Sequence, residues 1–172
     1  LERMLGELAD RGARYVTLNH TNTNSWADSS QDVPLHDGLT DVGRQLVAEM
    51  NRLGVLVDLS HSSDATVSDV FDVTRAPVVF SHSSCRALVD TVRNVADAQL
   101  RQLDRNDGLV MIAVSSPMVN AHLTPEVMEA AYARVRADGG DLAGLWDAVD
   151  AERHARGLGN ATLSDVLDHI DH

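Results

Sequence analysis

The tetrapeptide Ser-His-Ser-Ser occurs twice in the chain, each time directly after a short apolar run. The first copy, at 60–63, contains His61, and the second, at 81–84, contains His82. A third histidine, His20, closes the apolar segment "RYVTLNH" in the same way. Imidazole nitrogens are common metal ligands near neutral pH. The spacing therefore indicates metal binding at the ends of successive strands.

Alternate residues of a strand share one face, so each histidine has the parity of the apolar residues before it. These rows are Val16 and Leu18 before His20, Val57 and Leu59 before His61, and Val78 and Phe80 before His82. We expect the rows to point into a barrel, with the histidines at the carboxyl rim, where barrels carry their chemistry. Neighbouring parallel strands lie about 4.8 Å apart, which brings two imidazoles within reach of one cation. The alternative is an ordinary hydrogen-bonded histidine at each strand end, and two histidines alone do not complete a zinc site.

Other side chains near the two motifs are of types that can react or bind ligands. The serines are interpreted as helix caps or turn formers rather than nucleophiles, since no Gly-x-Ser-x-Gly motif is present. Cys85 is the only cysteine, which excludes an internal disulfide, and a buried small side chain is favoured over a reactive thiol. Arg93 is able to hold a carboxylate through two parallel hydrogen bonds, and the alternative is a surface arginine.

Helical and strand patterns alternate around these motifs. Apolar periodicity predicts helices from the first residue to Gly12, from Thr40 to Gly54, from Ser63 to Val73 and from Asp97 to Asp104. Strands are predicted over 14–20, 55–59, 76–80 and 108–114. Thr40 and Asp97 are the predicted N-caps of their helices. Residues 124–172 predict three further helices with breaks at Gly139-Gly140 and Gly157–Gly159.

Alternating strands and helices predict an α/β fold with parallel strands and right-handed crossovers. An open doubly wound sheet and part of a (β/α)8 TIM-type barrel both fit. No Gly-x-Gly-x-x-Gly or Walker A motif is present, which disfavours the nucleotide-binding open sheets. A complete barrel has about 250 residues and eight strands. The chain has only about four βα units plus extra helices, so 1–172 is predicted to be a single partial domain. Both of its ends lie in helical patterns, which predicts that it comes from the centre of a barrel.

Charge and hydropathy limit the classes of partner. The chain carries 26 acidic and 14 basic residues, a net charge of −12, which argues against a nucleic-acid partner and fits an anionic membrane surface poorly. No apolar run approaches the roughly 20 residues of a membrane span, and the first residues predict an amphipathic helix rather than a signal peptide. The localisation stays unknown, with the cytoplasm favoured.

Several segments, in the same order and spacing, resemble the renal (membrane) dipeptidase family. They are "GARYVTLNHTNTNSWADSS", "GLTDVGRQLVAEMNRLGVLVDLSHSS", "APVVFSHSSCRAL" and "RNVAD". The resemblance covers residues 1–115, is looser afterwards and returns at "LSDVLDHIDH". It implies an amidohydrolase-type barrel with two zinc ions in a complete site, and hydrolysis of dipeptide substrates.

The resemblance also implies roles for four residues. His61 and His82 match the two strand-end histidines that bind the second zinc ion. His20 matches a catalytic histidine that contacts the substrate and helps polarise the scissile carbonyl or its oxyanion. Arg93 matches the arginine that binds the substrate's C-terminal carboxylate.

The chain departs from the family pattern in ways that affect its expected activity. The His-x-Asp pair, the bridging glutamate and the aspartate of a Gly-Ser-Asp-Phe-Asp-Gly type motif are absent, and Ala96 replaces a usual proline. We therefore expect the chain alone to be inactive and, with its apolar rows uncovered, to associate. The alternatives are a non-catalytic truncated chain or pseudoenzyme, and another metal-dependent amidohydrolase. The sequence leaves open whether the protein forms a homo-oligomer.

Overall fold

The computed structural model describes residues 2–120, 125–137 and 144–172. The chain divides into two compact units, Leu1–Ala113 and Val114–His172. The first unit contains α1 Glu2–Asp10, β1 Tyr15–Thr17, α2 Asp41–Leu53, β2 Leu56–Asp58, α3 Asp64–Val73, β3 Val79–Ser83, α4 Asp97–Arg105 and β4 Leu109–Ile112. The second contains α5 Ser116–Val119, α6 Pro125–Ala137, α7 Leu145–Ala155 and α8 Leu163–Asp171. Whether 1–172 is a single partial domain stays a prediction.

The strands of the first unit form one parallel sheet in the order β1-β2-β3-β4. Strands that follow one another along the chain are therefore neighbours in the sheet, and each connection is a helical crossover. A doubly wound sheet reverses its strand order at a switch point. A barrel adds each new strand beside the last one. The observed order is that of a barrel segment.

The predicted caps set both ends of α2 and the start of α3. The Thr40 side chain accepts a hydrogen bond from the Gly43 amide, and Gly54 ends α2 in the left-handed conformation with φ 68°. Ser63 caps α3 in the same way, which confirms its role as a helix cap. The prediction that Asp97 caps α4 is wrong by one residue, because Ala96 holds the extended N-cap conformation. The Ala96 amide instead donates to Gln99 Oε1 at 3.0 Å.

The strands are shorter than their apolar runs, and one is displaced along the sequence. β3 begins at Val79 rather than at residue 76, since the Val78 amide donates to Asn106 Oδ1 at 2.8 Å instead of joining the ladder. The four-residue helix α5 was not predicted, because one helical turn carries no periodicity. The predicted break at Gly139-Gly140 lies outside the described residues.

The apolar rows that precede the histidines pack against the helices. Val57 and Leu59 are buried in one cluster with Val47 and Met50 of α2 and Val70 of α3. The expectation that these rows point into the barrel is therefore wrong, and so is the expectation that they are uncovered. The opposite face of the sheet carries the exposed apolar residues Tyr15, Leu56, Leu109 and Met111.

The second unit is helical and has its own small core. Helices α6 and α7 bury the set Val127, Ala131, Val135, Leu145, Ala148 and Val149 between them. Helices α6, α7 and α8 agree with the three that were predicted over residues 124–172. Within the described residues, no helix combines the length and the apolar character that crossing a bilayer requires.

Gly43, in the first turn of α2, offers a test of this packing. A methyl group at Gly43 would overlap the Trp26 carbonyl oxygen and lie 2.9 Å from Leu39 Cδ2. That carbonyl also accepts a hydrogen bond from the Thr40 amide at 3.1 Å, so it is not free to move. We expect Gly43→Ala to lower the free energy of unfolding by about 1–3 kcal/mol.

Gly6 in α1 is the matched control for this substitution, because a methyl group there meets nothing within 4 Å. Gly6→Ala is expected to raise the free energy of unfolding by about 0.5–1 kcal/mol, since alanine loses less entropy on forming a helix. Urea unfolding of both variants in the full-length protein measures the difference. A Gly43→Ala protein as stable as the wild type would contradict the close contact.

Candidate functional site

The histidines of the two repeated motifs meet at the carboxyl end of the sheet. His61 Nε2 lies 2.9 Å from His82 Nε2, and the two ring centroids are 4.9 Å apart at an interplanar angle of 60°. His61 follows β2 and His82 lies within β3, which are neighbouring strands. The structure thus brings together the two imidazoles whose convergence the sequence predicted.

Irregular backbone, rather than strand parity, turns the two rings toward each other. His61 has φ 74°, a left-handed conformation that costs a non-glycine residue on the order of 1–3 kcal/mol. The Ser30 amide holds this turn by donating to the His61 carbonyl oxygen at 2.8 Å. In β3 the register shifts between Phe80 and Ser83, so Phe80 is buried while His82 is exposed. Each histidine therefore leaves the face of the apolar row that precedes it.

Hydrogen bonds to the outer ring nitrogens fix the tautomer of both histidines. His61 Nδ1 lies 3.0 Å from Gln31 Oε1, an amide oxygen that only accepts, so Nδ1 carries the proton. His82 Nδ1 lies 2.7 Å from Ser81 Oγ. The Ser81 hydroxyl donates its one proton to Asp58 Oδ2 at 2.6 Å, so it accepts from His82 Nδ1–H. Both Nε2 atoms therefore carry lone pairs.

Two lone pairs that face each other at 2.9 Å form a donor set for a cation. Burial, then the positive charge of Arg93, lowers the pKa of His61 to about 3. Partial burial of the ring and the same charge lower the pKa of His82, so a proton does not fill the gap at neutral pH.

A transition metal ion fits this pair of nitrogens. Zn–N bonds of about 2.0–2.1 Å place two nitrogens of one tetrahedral ion about 3.3 Å apart. The observed separation of 2.9 Å needs a displacement of only a few tenths of an ångström. In the described part of the chain, no group of three His, Cys, Asp or Glu side chains is arranged to hold a metal. The pair by itself could therefore supply two ligands of a metal site, and further ligands would have to come from elsewhere.

His20 lies beside this pair. Its ring centroid is 4.0 Å from that of His61, with the planes tilted by 30°. Ser29 Oγ donates to the His20 carbonyl oxygen at 2.7 Å, which fixes the main chain at the end of β1. The His20 side chain is exposed, so it is open to a ligand bound over the pair.

Arg93 places a positive charge near the same point. Its Nη2 donates to the His82 carbonyl oxygen at 3.4 Å. Burial lowers the pKa of Arg93 to about 10, against the opposing charge of Asp58, so the guanidinium stays charged at neutral pH. No carboxylate of the described residues forms an ion pair with it. This half-buried cation is therefore a candidate partner for an anion.

The serines beside the histidines form hydrogen bonds that hold the backbone, and the neighbouring cysteine is buried. Ser63 Oγ accepts from the Thr66 amide at 3.1 Å as the cap of α3. Ser60 Oγ accepts from the His82 amide at 3.0 Å. Cys85 is buried, and burial followed by the charge of Asp97 raises the pKa of its thiol. The interpretation of Cys85 as a buried small side chain is therefore favoured over a reactive one.

The sequence patterns did not single out Asp58, which was read as part of an apolar strand. Burial alone would raise the pKa of this fully buried carboxyl, but four hydrogen bonds outweigh burial and lower it. The signal in the sequence was an acidic residue inside the apolar run "VLVDL". The patterns also missed Asn19, whose buried Nδ2 has no hydrogen-bond partner among the described residues and whose Oδ1 accepts from Ser62. Nothing in the local sequence marked Asn19.

Comparison with known proteins identifies relatives over the whole chain. A family model described as "Membrane dipeptidase (Peptidase family M19)" matches residues 2–172. Dipeptidase aclJ of Aspergillus oryzae is 41% identical over 171 residues, which are 99% of this chain and 37% of that protein. Human dipeptidase 3 is 37% identical over 165 residues, 91% of this chain and 34% of that protein. The chain thus spans about a third of the length of these relatives.

Solved structures agree with this assignment. The probable dipeptidase PvdM from Pseudomonas aeruginosa superimposes with a TM-score of 0.79 at 27% identity, covering 99% of this chain and 50% of that one. A structure described as dipeptidase AC, a metallopeptidase of family M19, gives a TM-score of 0.64 at 27% identity over 69% of this chain and 36% of that one. The predicted fold class, an α/β chain that forms part of a TIM-type barrel, is confirmed. This chain belongs to the membrane dipeptidase family, peptidase family M19.

Proposed function

We propose that the full-length protein that carries this chain is a zinc-dependent dipeptidase with a binuclear site. The observation that supports this most directly is the pair of Nε2 lone pairs that converge at 2.9 Å, with the proton of each ring held on its other nitrogen. The remaining ligands are expected from parts of the protein beyond this third of the family length.

In this proposal His61 and His82 hold one zinc ion. Neutral imidazoles suit zinc, and both rings are neutral because burial and Arg93 lower their pKa values. Bound zinc ions lower the pKa of a water molecule and polarise a carbonyl group, which is the chemistry that peptide hydrolysis needs. The protein's part is to hold the two nitrogens at a fixed separation before the metal arrives.

His20 is proposed to contact the substrate and to stabilise the oxyanion that forms from the scissile carbonyl. Its ring is exposed and lies 4.0 Å from that of His61, so a carbonyl group over the metal would be within reach. A donor that meets the developing negative charge in the transition state accelerates acyl transfer. This makes His20 the proposed catalytic residue of the chain.

Arg93 is proposed to bind the free C-terminal carboxylate of the dipeptide. The guanidinium is half-buried, is charged at neutral pH and has no carboxylate partner among the described residues. Arginine is suited to this task because its planar fork binds a carboxylate through two parallel bonds. A carboxylate anchored beside the metal site would position the adjacent peptide bond for attack. A homo-oligomeric state and a cytoplasmic localisation stay predictions.

His61→Ala and His82→Ala in the full-length protein test the metal assignment. Each variant is expected to lose one of two zinc ions per chain and dipeptidase activity, since each removes a ligand of the same ion. Metal analysis after dialysis and a dipeptide hydrolysis assay measure the two effects. His154→Ala, at an exposed position of α7, is the control and is expected to keep both.

Two results would count against this assignment. One is a wild-type zinc content in both His61→Ala and His82→Ala. The other is full activity of the wild-type protein after chelation and dialysis, because the proposed reaction has no route without metal.

Arg93→Ala tests the carboxylate clamp. Losing a charge-assisted hydrogen-bonded pair costs about 2–3 kcal/mol, so kcat/KM for dipeptides is expected to fall about 30- to 150-fold. Dipeptide amides, which lack the carboxylate, are expected to lose little. Arg105→Ala, at an exposed position of α4, is the control for charge alone. An equal fall for dipeptides and their amides would refute the clamp and favour an amidohydrolase with another substrate class.

A further inference from the structure

A buried carboxylate stands behind the histidine pair and contacts both neighbouring strands. Asp58 is 0% exposed at the end of β2. Its Oδ2 accepts from Thr17 Oγ1 of β1 at 2.7 Å and from Ser81 Oγ of β3 at 2.6 Å. Its Oδ1 accepts from the amides of Ser60 at 3.1 Å and Ser81 at 3.0 Å. A carboxylate has about four acceptor sites, so this one is saturated and held in one orientation.

Among the described residues, the Ser81 hydroxyl is the donor to Asp58 that also contacts a histidine ring of the candidate metal site. The Ser81 hydroxyl gives its proton to Asp58 and receives the Nδ1–H of His82 at 2.7 Å. A hydroxyl that donates to a carboxylate becomes a better acceptor, because successive hydrogen bonds polarise one another. Thr17 donates to the same carboxylate oxygen at almost the same distance, but this bond connects β1 to Asp58 and not to a histidine.

We propose that Asp58 is a positioning residue for the metal site, and that it acts through Ser81 to hold the His82 ring with its Nε2 lone pair directed at the ion. This inference rests on the proposed function, because it assigns Asp58 a role toward the metal that His82 would bind. Metal-binding histidines commonly donate their second ring nitrogen to a carboxylate or carbonyl, which fixes the ring and raises its basicity. Here a serine hydroxyl is inserted between the carboxylate and the ring.

The two histidines are oriented by different means, which locates the effect of Asp58 at His82. His61 donates to Gln31, a neutral amide on an exposed residue, and its backbone is fixed by the left-handed turn. His82 donates to Ser81, which leads to the buried charge of Asp58, and the His82 amide donates to Ser60 Oγ at 3.0 Å. Loss of the network therefore frees the His82 ring while the His61 ring keeps its own partner.

The alternative role for Asp58 is to hold the three strands together without influence on the metal. Ser81→Ala and Thr17→Val separate the two roles, because each removes one hydroxyl donor from Asp58 Oδ2 at 2.6 and 2.7 Å. Because Ser81 also contacts His82 directly, Asp58→Asn is needed beside them. A purely structural carboxylate predicts that Thr17→Val and Asp58→Asn both leave metal affinity unchanged. The positioning role predicts that Ser81→Ala and Asp58→Asn lower metal affinity while Thr17→Val does not.

The measurement is zinc affinity of the full-length protein by competition with a chromogenic chelator, together with the visible spectrum of the cobalt-substituted protein. Ser81→Ala is expected to weaken zinc binding about 10- to 100-fold and to change the cobalt spectrum, whereas Thr17→Val changes affinity less than about threefold. Ser81→Thr keeps the hydroxyl and is expected to restore wild-type affinity. Thermal midpoints of the metal-free proteins report any loss of folding.

Asp58→Asn provides a second route if Ser81→Ala does not fold. It removes the charge that polarises Ser81 and is expected to lower zinc affinity toward the Ser81→Ala value. Equal affinities of Ser81→Ala and Thr17→Val, or a wild-type affinity in Asp58→Asn, would overturn the positioning role. Failure of the proposed function looks different: His82→Ala would then leave zinc binding intact, or the wild type would bind no zinc at all.

Discussion

The ionised Asp58 carboxylate, enclosed in the middle of a parallel sheet, is the group on which the candidate site depends. An uncompensated charge in such a place costs several kcal/mol. Four donors from three segments replace its hydration, which keeps the group ionised and lowers its pKa. The register of β2 and β3 pairs the single residues Asp58 and Val79, so the two hydrogen bonds that Ser81 donates to Asp58 add to a short ladder. The same side chain thus joins the strands and supports the His82 ring.

The histidine pair lies where regular structure ends, and this explains why strand parity misplaced the apolar rows. A regular strand would have kept His61 on the face of Val57 and Leu59, which is covered by helices. The left-handed turn at His61 and the register shift in β3 release both rings from that face. Their energetic cost is acceptable because the surrounding hydrogen bonds fix a single arrangement.

Local signals in the sequence predicted much of the fold. The caps Thr40 and Ser63 act within one helical turn, so residue type and spacing are enough to locate them. The repeated Ser-His-Ser-Ser predicted two converging imidazoles, because neighbouring parallel strands end at one edge. The partners Gln31, Ser81 and Asp58 could not be predicted in the same way, since the contacts of Gln31 and Asp58 join segments 23 to 41 residues apart. Strand register and backbone irregularity determine those contacts, and neither produces a periodic pattern in a single sequence.

The candidate site contains a positive charge, whereas the chain as a whole is negatively charged. The chain carries a net charge of −12, yet Arg93 is charged, half-buried and without a carboxylate partner among the described residues. Its charge disfavours protonation of His61 and His82, which keeps their lone pairs available, while Asp58 opposes that effect from behind the pair. In the proposed site, Arg93 would therefore serve two needs: it favours neutral imidazoles, which a metal requires, and it attracts an anionic group. Partial burial strengthens both effects, because a low local dielectric reduces screening. If the proposed function holds, this arrangement would favour a substrate that brings its own negative charge close to the metal, as the free carboxylate of a dipeptide does.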